Sequence, residues 1–186
     1  TGLLGTEDLD VGQLEEVPFD EEVEIGPGLS ATWRRAGHIL GAATIALRVA
    51  GRGGERTVAF SGDLGRSTHP LLLPPDPVGA ADVVVTESTY GDERHPEEDP
   101  EQVLAETITR AARRGGVVVI PAFSVDRTEV VLWHLDRLVR AGRVPEIPVF
   151  VDSPMALRAL DVYEELARGQ SPEIRPEYHH APLFPL

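Results

Sequence analysis

The sequence predicts a mixed α/β fold, with antiparallel strands in its first half and alternating strands and helices around a parallel sheet in its second. Two observations carry this. Before residue 91, apolar residues fall in short β-branched runs between glycine-rich turns; after residue 100, they recur at helical spacing with strand-like runs between. A polar, proline-bearing stretch at 91–100 separates the two regimes, so 1–95 and 96–186 read as two units.

Residues 6–16 (TEDLDVGQLEE) read as a short acidic helix or loop. Segments 22–25, 29–34, 43–49 and 56–60 read as strands, joined by Gly-Pro-Gly at 26–28 and by a hairpin signal at Gly51-Arg52-Gly53-Gly54. The β-branched run in 81–87 (ADVVVTE) predicts a buried strand. Asp99 then caps a helix with Pro100 at its first position, Leu104, Ile108 and Ala111 on one face, and Gly115-Gly116 as the stop. Segment 117–121 is a strand. Asp126 with Glu129 resembles a capping box, opening a helix through Val130, Trp133 and Leu138 to Gly142. Segment 147–151 is the next strand, and Ser153-Pro154 opens a helix to about Arg168. This alternation implies right-handed crossovers and a parallel sheet. Residues 171–186 lack a helical period and read as a linker or an unfinished element.

A chain of 186 residues, 41% hydrophobic and 26% charged, fits one medium domain or parts of two. No apolar run approaches the roughly 18 residues of a membrane span, and the first residues are acidic rather than signal-like, so no membrane partner and a cytoplasmic location are expected. Without cysteine there is neither a disulfide nor a thiolate ligand, and any metal must be held by His, Asp or Glu. All 17 basic residues are Arg. The net charge of −14 weighs against nucleic acid, yet residues 1–28 alone contribute −9, so the acidity is concentrated in one segment.

Two Gly-flanked turns hold the residues most capable of chemistry. His38 lies in Ala36-Gly37-His38-Ile39-Leu40-Gly41 after one strand, and Asp63 in Phe60-Ser61-Gly62-Asp63-Leu64-Gly65 after another. An imidazole and a carboxylate so placed can serve one metal centre, and a carboxylate can bridge two ions about 3.5–4 Å apart. Taken singly, each also reads as a packed histidine and a turn-forming aspartate. Two ligands are fewer than a catalytic metal needs. Glu87, at the end of a strand, suits a partner for a catalytic histidine or a metal ligand, or a turn cap. Ser124 with Arg127, and Ser153, follow strand ends and open helices, where phosphate binds. His69, His95, His134 and the His179-His180 pair show no ligand spacing.

The order of these segments resembles the β-CASP branch of the metallo-β-lactamase superfamily, RNA-processing nucleases akin to the 3′-end processing endonuclease and exonuclease. AGHILGAA (36–43) and FSGDLGR (60–66) look like its third and fourth metal motifs, VTESTYG (85–91) like the first motif of the β-CASP branch, and IPAFSVDRTEVVL (120–132) and FVDSPMA (150–156) like parts of its cassette. The resemblance implies part of an αββα lactamase sandwich followed by part of an α/β cassette. It also implies hydrolysis of single-stranded RNA with two Zn2+ ions. In that reading His38 and Asp63 are metal ligands, Asp63 and Glu87 act in catalysis, and Ser124, Arg127 and Ser153 bind substrate. A homodimer is left open. Asp126 departs from the family's usual small residue, which puts a phosphate role for its turn in doubt. The family's His-x-His-x-Asp-His motif and later His motifs are not in the sequence and are expected outside it, so the chain alone is expected to be inactive. The rival expectations are a non-catalytic scaffold subunit and a lactamase-fold hydrolase of small esters or thioesters.

Overall fold

The computed structural model describes residues 15–94, 98–179 and Leu183. Most of the expected acidic segment at 6–16 lies outside them.

The first half builds one five-stranded sheet in the order β1 (Glu22–Gly26), β2 (Leu29–Arg35), β3 (Ala43–Gly51), β4 (Gly54–Phe60) and β5 (Val83–Val85). Strands β1 to β4 form an antiparallel meander, because the 26–28 and 51–54 turns are too short for anything else. β5 returns parallel to β4, with Val58 opposite Val83 and Phe60 opposite Val85. A parallel return needs a long crossover, which residues 61–82 supply without a helix.

The register places every loop of interest on one edge. Arg35 at the end of β2 faces Ala43 at the start of β3, Ile45 faces Phe60 at the end of β4, and Phe60 faces Val85. Loops 36–42, 61–66 and 86–91 therefore leave the sheet side by side.

Helices α1 (Pro100–Arg113), α2 (Arg127–Arg140) and α3 (Pro154–Arg168) follow as the helical periodicity requires. Asp99 caps α1 by accepting the Glu101 N–H at 2.9 Å, and Ser153 caps α3 by accepting that of Ala156 at 3.2 Å. Ala105, Ile108, Leu132, Leu135, Leu138 and Val144 form the core between α1 and α2. Glu101 pins the same helices from the surface, bonded to His134 and Arg137 at 3.0 Å each. Although burial opposes it, those two partners hold the Glu101 carboxyl below its ordinary range.

The second half differs from expectation in its strands. Segments 117–121 and 147–151 join no ladder among the described residues, and Val117 and Phe150 are 83% and 87% exposed. A β-branched run becomes a strand only where a neighbour takes its N–H and C=O groups, and no described segment does so. The sole parallel pair among the described residues is β4–β5. Strand 81–87 is likewise reduced to Val83–Val85 and is exposed rather than buried, since it is the last strand of the sheet.

The tail from 171 is no free linker. Ile174 bridges Leu72, and a 3₁₀ turn follows at Pro176–Tyr178. Leu71, Leu72, Tyr163, Ala167, Ile174 and Leu183 form a second buried core, which joins the crossover of the sheet to α3 and the tail. Burying each such aliphatic side chain contributes about 1.5–3 kcal/mol.

Candidate metal rim and nucleic-acid turn

Loop 36–42 is closed on itself: the Ala36 N–H donates to Ala42 O at 2.8 Å, and the Ala42 N–H donates to Ile39 O at 3.1 Å. The next loop packs directly on it. The Gly65 N–H donates to Ala36 O at 2.8 Å, and a Cβ on Gly65 would stand 1.8 Å from Gly37 O. Only glycine permits that approach. Gly37 itself has φ +65, and a Cβ there would lie 2.7 Å from Leu73 O. Those two glycines hold His38 and Asp63 on adjoining loops.

Glu87 ties the third loop to the second. Its carboxylate accepts the Leu64 N–H and the Thr89 hydroxyl at 2.7 Å each, and its own N–H donates to Ser61 Oγ at 3.1 Å. The Thr89 hydroxyl first, then the Leu64 N–H, hold this carboxyl below its ordinary range, and the His38 ring adds to the effect. Glu87 is thus an ionised acceptor beside His38, bonded to the amide that follows Asp63.

The side chains of His38 and Asp63 are exposed and make no hydrogen bond among the described residues. An imidazole nitrogen and a carboxylate, both uncommitted, are donors that suit zinc. Among the described residues no group of three or more His, Asp or Glu converges on one metal position. The donor set fits a metal in kind and falls short in number.

The cassette candidates also come together. Ser124 Oγ and Ser153 Oγ are 3.3 Å apart, and Arg127 is the exposed first residue of α2. The capping box expected of Asp126 and Glu129 is not formed. Asp126 makes no side-chain cap bond; its Oδ1 sits 2.8 Å from His69 Nε2 and accepts the Tyr163 hydroxyl at 3.0 Å. Glu129 turns inward instead of back to the cap, is fully buried, and leaves both oxygens without a hydrogen-bond partner. Burial pushes its carboxyl up to about 7, against the pull of its own N–H and helped by the nearby Asp126 charge. Burial, with Asp126 adding, likewise holds the Tyr163 phenol well above its ordinary value.

Sequence reasoning missed Tyr163 and Glu173 altogether and set His69 aside for want of ligand spacing. Glu173 Oε2 accepts the Gly41 N–H at 2.9 Å, bracing the His38 loop from the tail. No spacing could have found these partners, since 132 residues separate Gly41 from Glu173. The one visible signal was Asp126, an acid where the resemblance expects a small residue.

No family model matches the chain. It is 34% identical to Ribonuclease TTHA0252 of Thermus thermophilus over 178 residues, 94% of the chain and 40% of that protein. It is 30% identical to an RNase J-like protein of Methanocaldococcus jannaschii over 166 residues, 87% of the chain and 38% of that protein. To the endoribonuclease YSH1 of Mycosarcoma maydis it is 31% identical over 170 residues, 90% of the chain and 19% of that protein. The chain belongs to the β-CASP branch of the metallo-β-lactamase superfamily. It spans about two fifths of the length of the first two of these relatives, and less of the third. Membership in this β-CASP branch brings metal dependence with it. None of the helices among the described residues is long and apolar enough to cross a membrane.

Proposed function

We propose that the whole protein is an RNA-processing nuclease that hydrolyses phosphodiester bonds of single-stranded RNA with two Zn2+ ions, held in part by His38 and Asp63. The observation that carries this reading is the convergence of loops 36–42, 61–66 and 86–91 on one sheet edge, with the two free donors on adjoining loops and an ionised Glu87 beside them. When bound, the ions would polarise the phosphoryl oxygens and neutralise charge developing in the transition state. His38 would offer its imidazole to one ion, and Asp63 its carboxylate to one or both. Glu87 would keep the Asp63 loop in place through the Leu64 amide and orient a proton-donating histidine from elsewhere in the protein. Ser124, Ser153 and Arg127 would hold the RNA backbone, two hydroxyls and a guanidinium being suitable donors to phosphate.

With only two ligands, the 186-residue chain by itself should neither hold zinc tightly nor cleave RNA. Two measurements test the reading. The whole protein, stripped by a chelator and reloaded with zinc, should cleave single-stranded RNA; Asp63→Asn should lower kcat about 10²-fold or more, and Glu87→Gln about 10- to 100-fold. Isothermal titration of zinc into the 186-residue chain should show no stoichiometric, tight binding. Wild-type-like cleavage by Asp63→Asn would overturn the assignment of the centre.

A further inference from the structure

Asp126 is the strained point of the cassette. It has φ +69 and ψ −54, and the Arg127 N–H donates across it to Val125 O at 2.9 Å. That is a γ-turn in its positive-φ form, a rare conformation that costs a non-glycine residue about 1–3 kcal/mol. Such strain persists only where surrounding contacts over-determine it. Here those contacts come from two places: the Tyr163 hydroxyl on α3, and His69 in the crossover, six residues after Asp63.

His69 is fixed on three sides. Its Nδ1 accepts the N–H groups of Leu71 and Leu72 at 3.1 and 2.9 Å, so the ring proton lies on Nε2, which donates to Asp126. Arg175 Nε donates to its carbonyl at 2.8 Å. The ring is 4% exposed and the Asp126 carboxylate 16%, so the acid is turned into the fold and away from the surface. Arg127, the next residue, is exposed and forms no ion pair among the described residues. An acid at the head of α2 would ordinarily repel phosphate. Here it is spent inward, and the guanidinium beside it is left uncompensated.

We propose that Asp126 is a positioning residue for RNA: held by His69 and Tyr163, it locks the γ-turn that presents Arg127 and Ser124 at a fixed place relative to the Asp63 loop. The role rests on the RNA-nuclease reading above, and it explains why an acid can stand in this turn.

The test uses the whole protein and a fluorescein-labelled single-stranded RNA oligonucleotide, titrated in chelator so that no cleavage occurs, followed by kinetics with zinc on that RNA and on bis(p-nitrophenyl) phosphate. Asp126→Gly relieves the strain and deletes the latch; it should weaken RNA binding and raise KM for RNA about tenfold, while kcat/KM on the small diester changes less than about twofold. Asp126→Asn keeps an oxygen that can accept both bonds and should recover binding to within about threefold. His69→Gln, which can supply a donor where Nε2 stood, should bind RNA better than His69→Asn, which can only replace the Nδ1 acceptor. Should Asp126→Gly not fold, Tyr163→Phe removes one donor alone and reads the same quantity. Unchanged RNA binding in Asp126→Gly, equal losses on both substrates, or no recovery in Asp126→Asn would overturn the proposal, as would a wild-type protein that binds no RNA. A wild-type protein that binds RNA without cleaving it overturns the nuclease reading instead, and the binding series then still decides the latch.

Discussion

Glu129 sits on the inward face of α2 with no hydrogen-bond partner for either oxygen, and its carboxyl titrates near 7 rather than at the ordinary 4.5. Between those values the folded chain binds a proton that the unfolded chain has released. Its contribution to stability is therefore complete below about pH 4.5 and lost as pH rises through 7, an effect of order 3 kcal/mol. Denaturant titrations at pH 5.5 and 8.5 should show about 2 kcal/mol of that fall, and Glu129→Met, which fills the same space without a charge, should flatten it. A slope that survives in Glu129→Met would assign the effect to another group. Gly65 yields a prediction of a different kind. An added methyl group would collide with Gly37 O, so Gly65→Ala should cost at least about 2 kcal/mol and weaken zinc binding by the whole protein together with its stability. Loss of stability with zinc affinity intact would mean that the two loops do not need each other to hold metal.

At the scale of elements, the cap on α1 is an ordinary one. Asp99→Ala should cost about 1 kcal/mol in a thermal melt and leave RNA cleavage by the whole protein unaltered. This cap was legible in the sequence because Asp-Pro before a periodic run depends on neighbours only. The meander was legible for the same reason: its strand-like runs are joined by connections too short for anything but antiparallel pairing. Asp126 and Glu129 misled, because a capping box is a local pattern and both side chains there answer to distant partners, the one to His69 and Tyr163, the other to the core. Segments 117–121 and 147–151 misled for the converse reason. Their composition is that of strands, but a strand is a relation between two segments, and no described residue completes it. Within the candidate site, His38 and Asp63 could be singled out as candidates by their flanking glycines, Glu87 by its place at a strand end, and all three by family-like order, whereas the contacts that fix their loops could not.

Over the whole molecule, the tail adds to the His69–Asp126 bond and the α3 packing in tying the two sequence units together. Arg35 donates to Pro74 O at 3.0 Å and Pro172 O at 2.9 Å and pairs with Asp76; Leu73 donates to Glu173 O at 2.8 Å; Ile174 is fully buried against Leu72. Ile174→Ala should cost about 2–5 kcal/mol. It should also speed hydrogen exchange at Gly41 and Leu73, whose amides the neighbouring Glu173 holds. Exchange unchanged at those two amides, despite lost stability, would show that the tail does not govern the His38 loop.

The order of synthesis adds a consequence of that tail. Glu173 is made about 110 residues after Asp63, a delay of about 5–20 s at ordinary translation rates of about 5–20 residues per second. For that interval the loops bearing His38 and Asp63 exist without the contacts from 172–175 that brace them. A ribosome-bound chain halted before residue 171 should therefore present a looser rim than the same chain released past it, read as faster hydrogen exchange at the Gly41 amide that Glu173 holds.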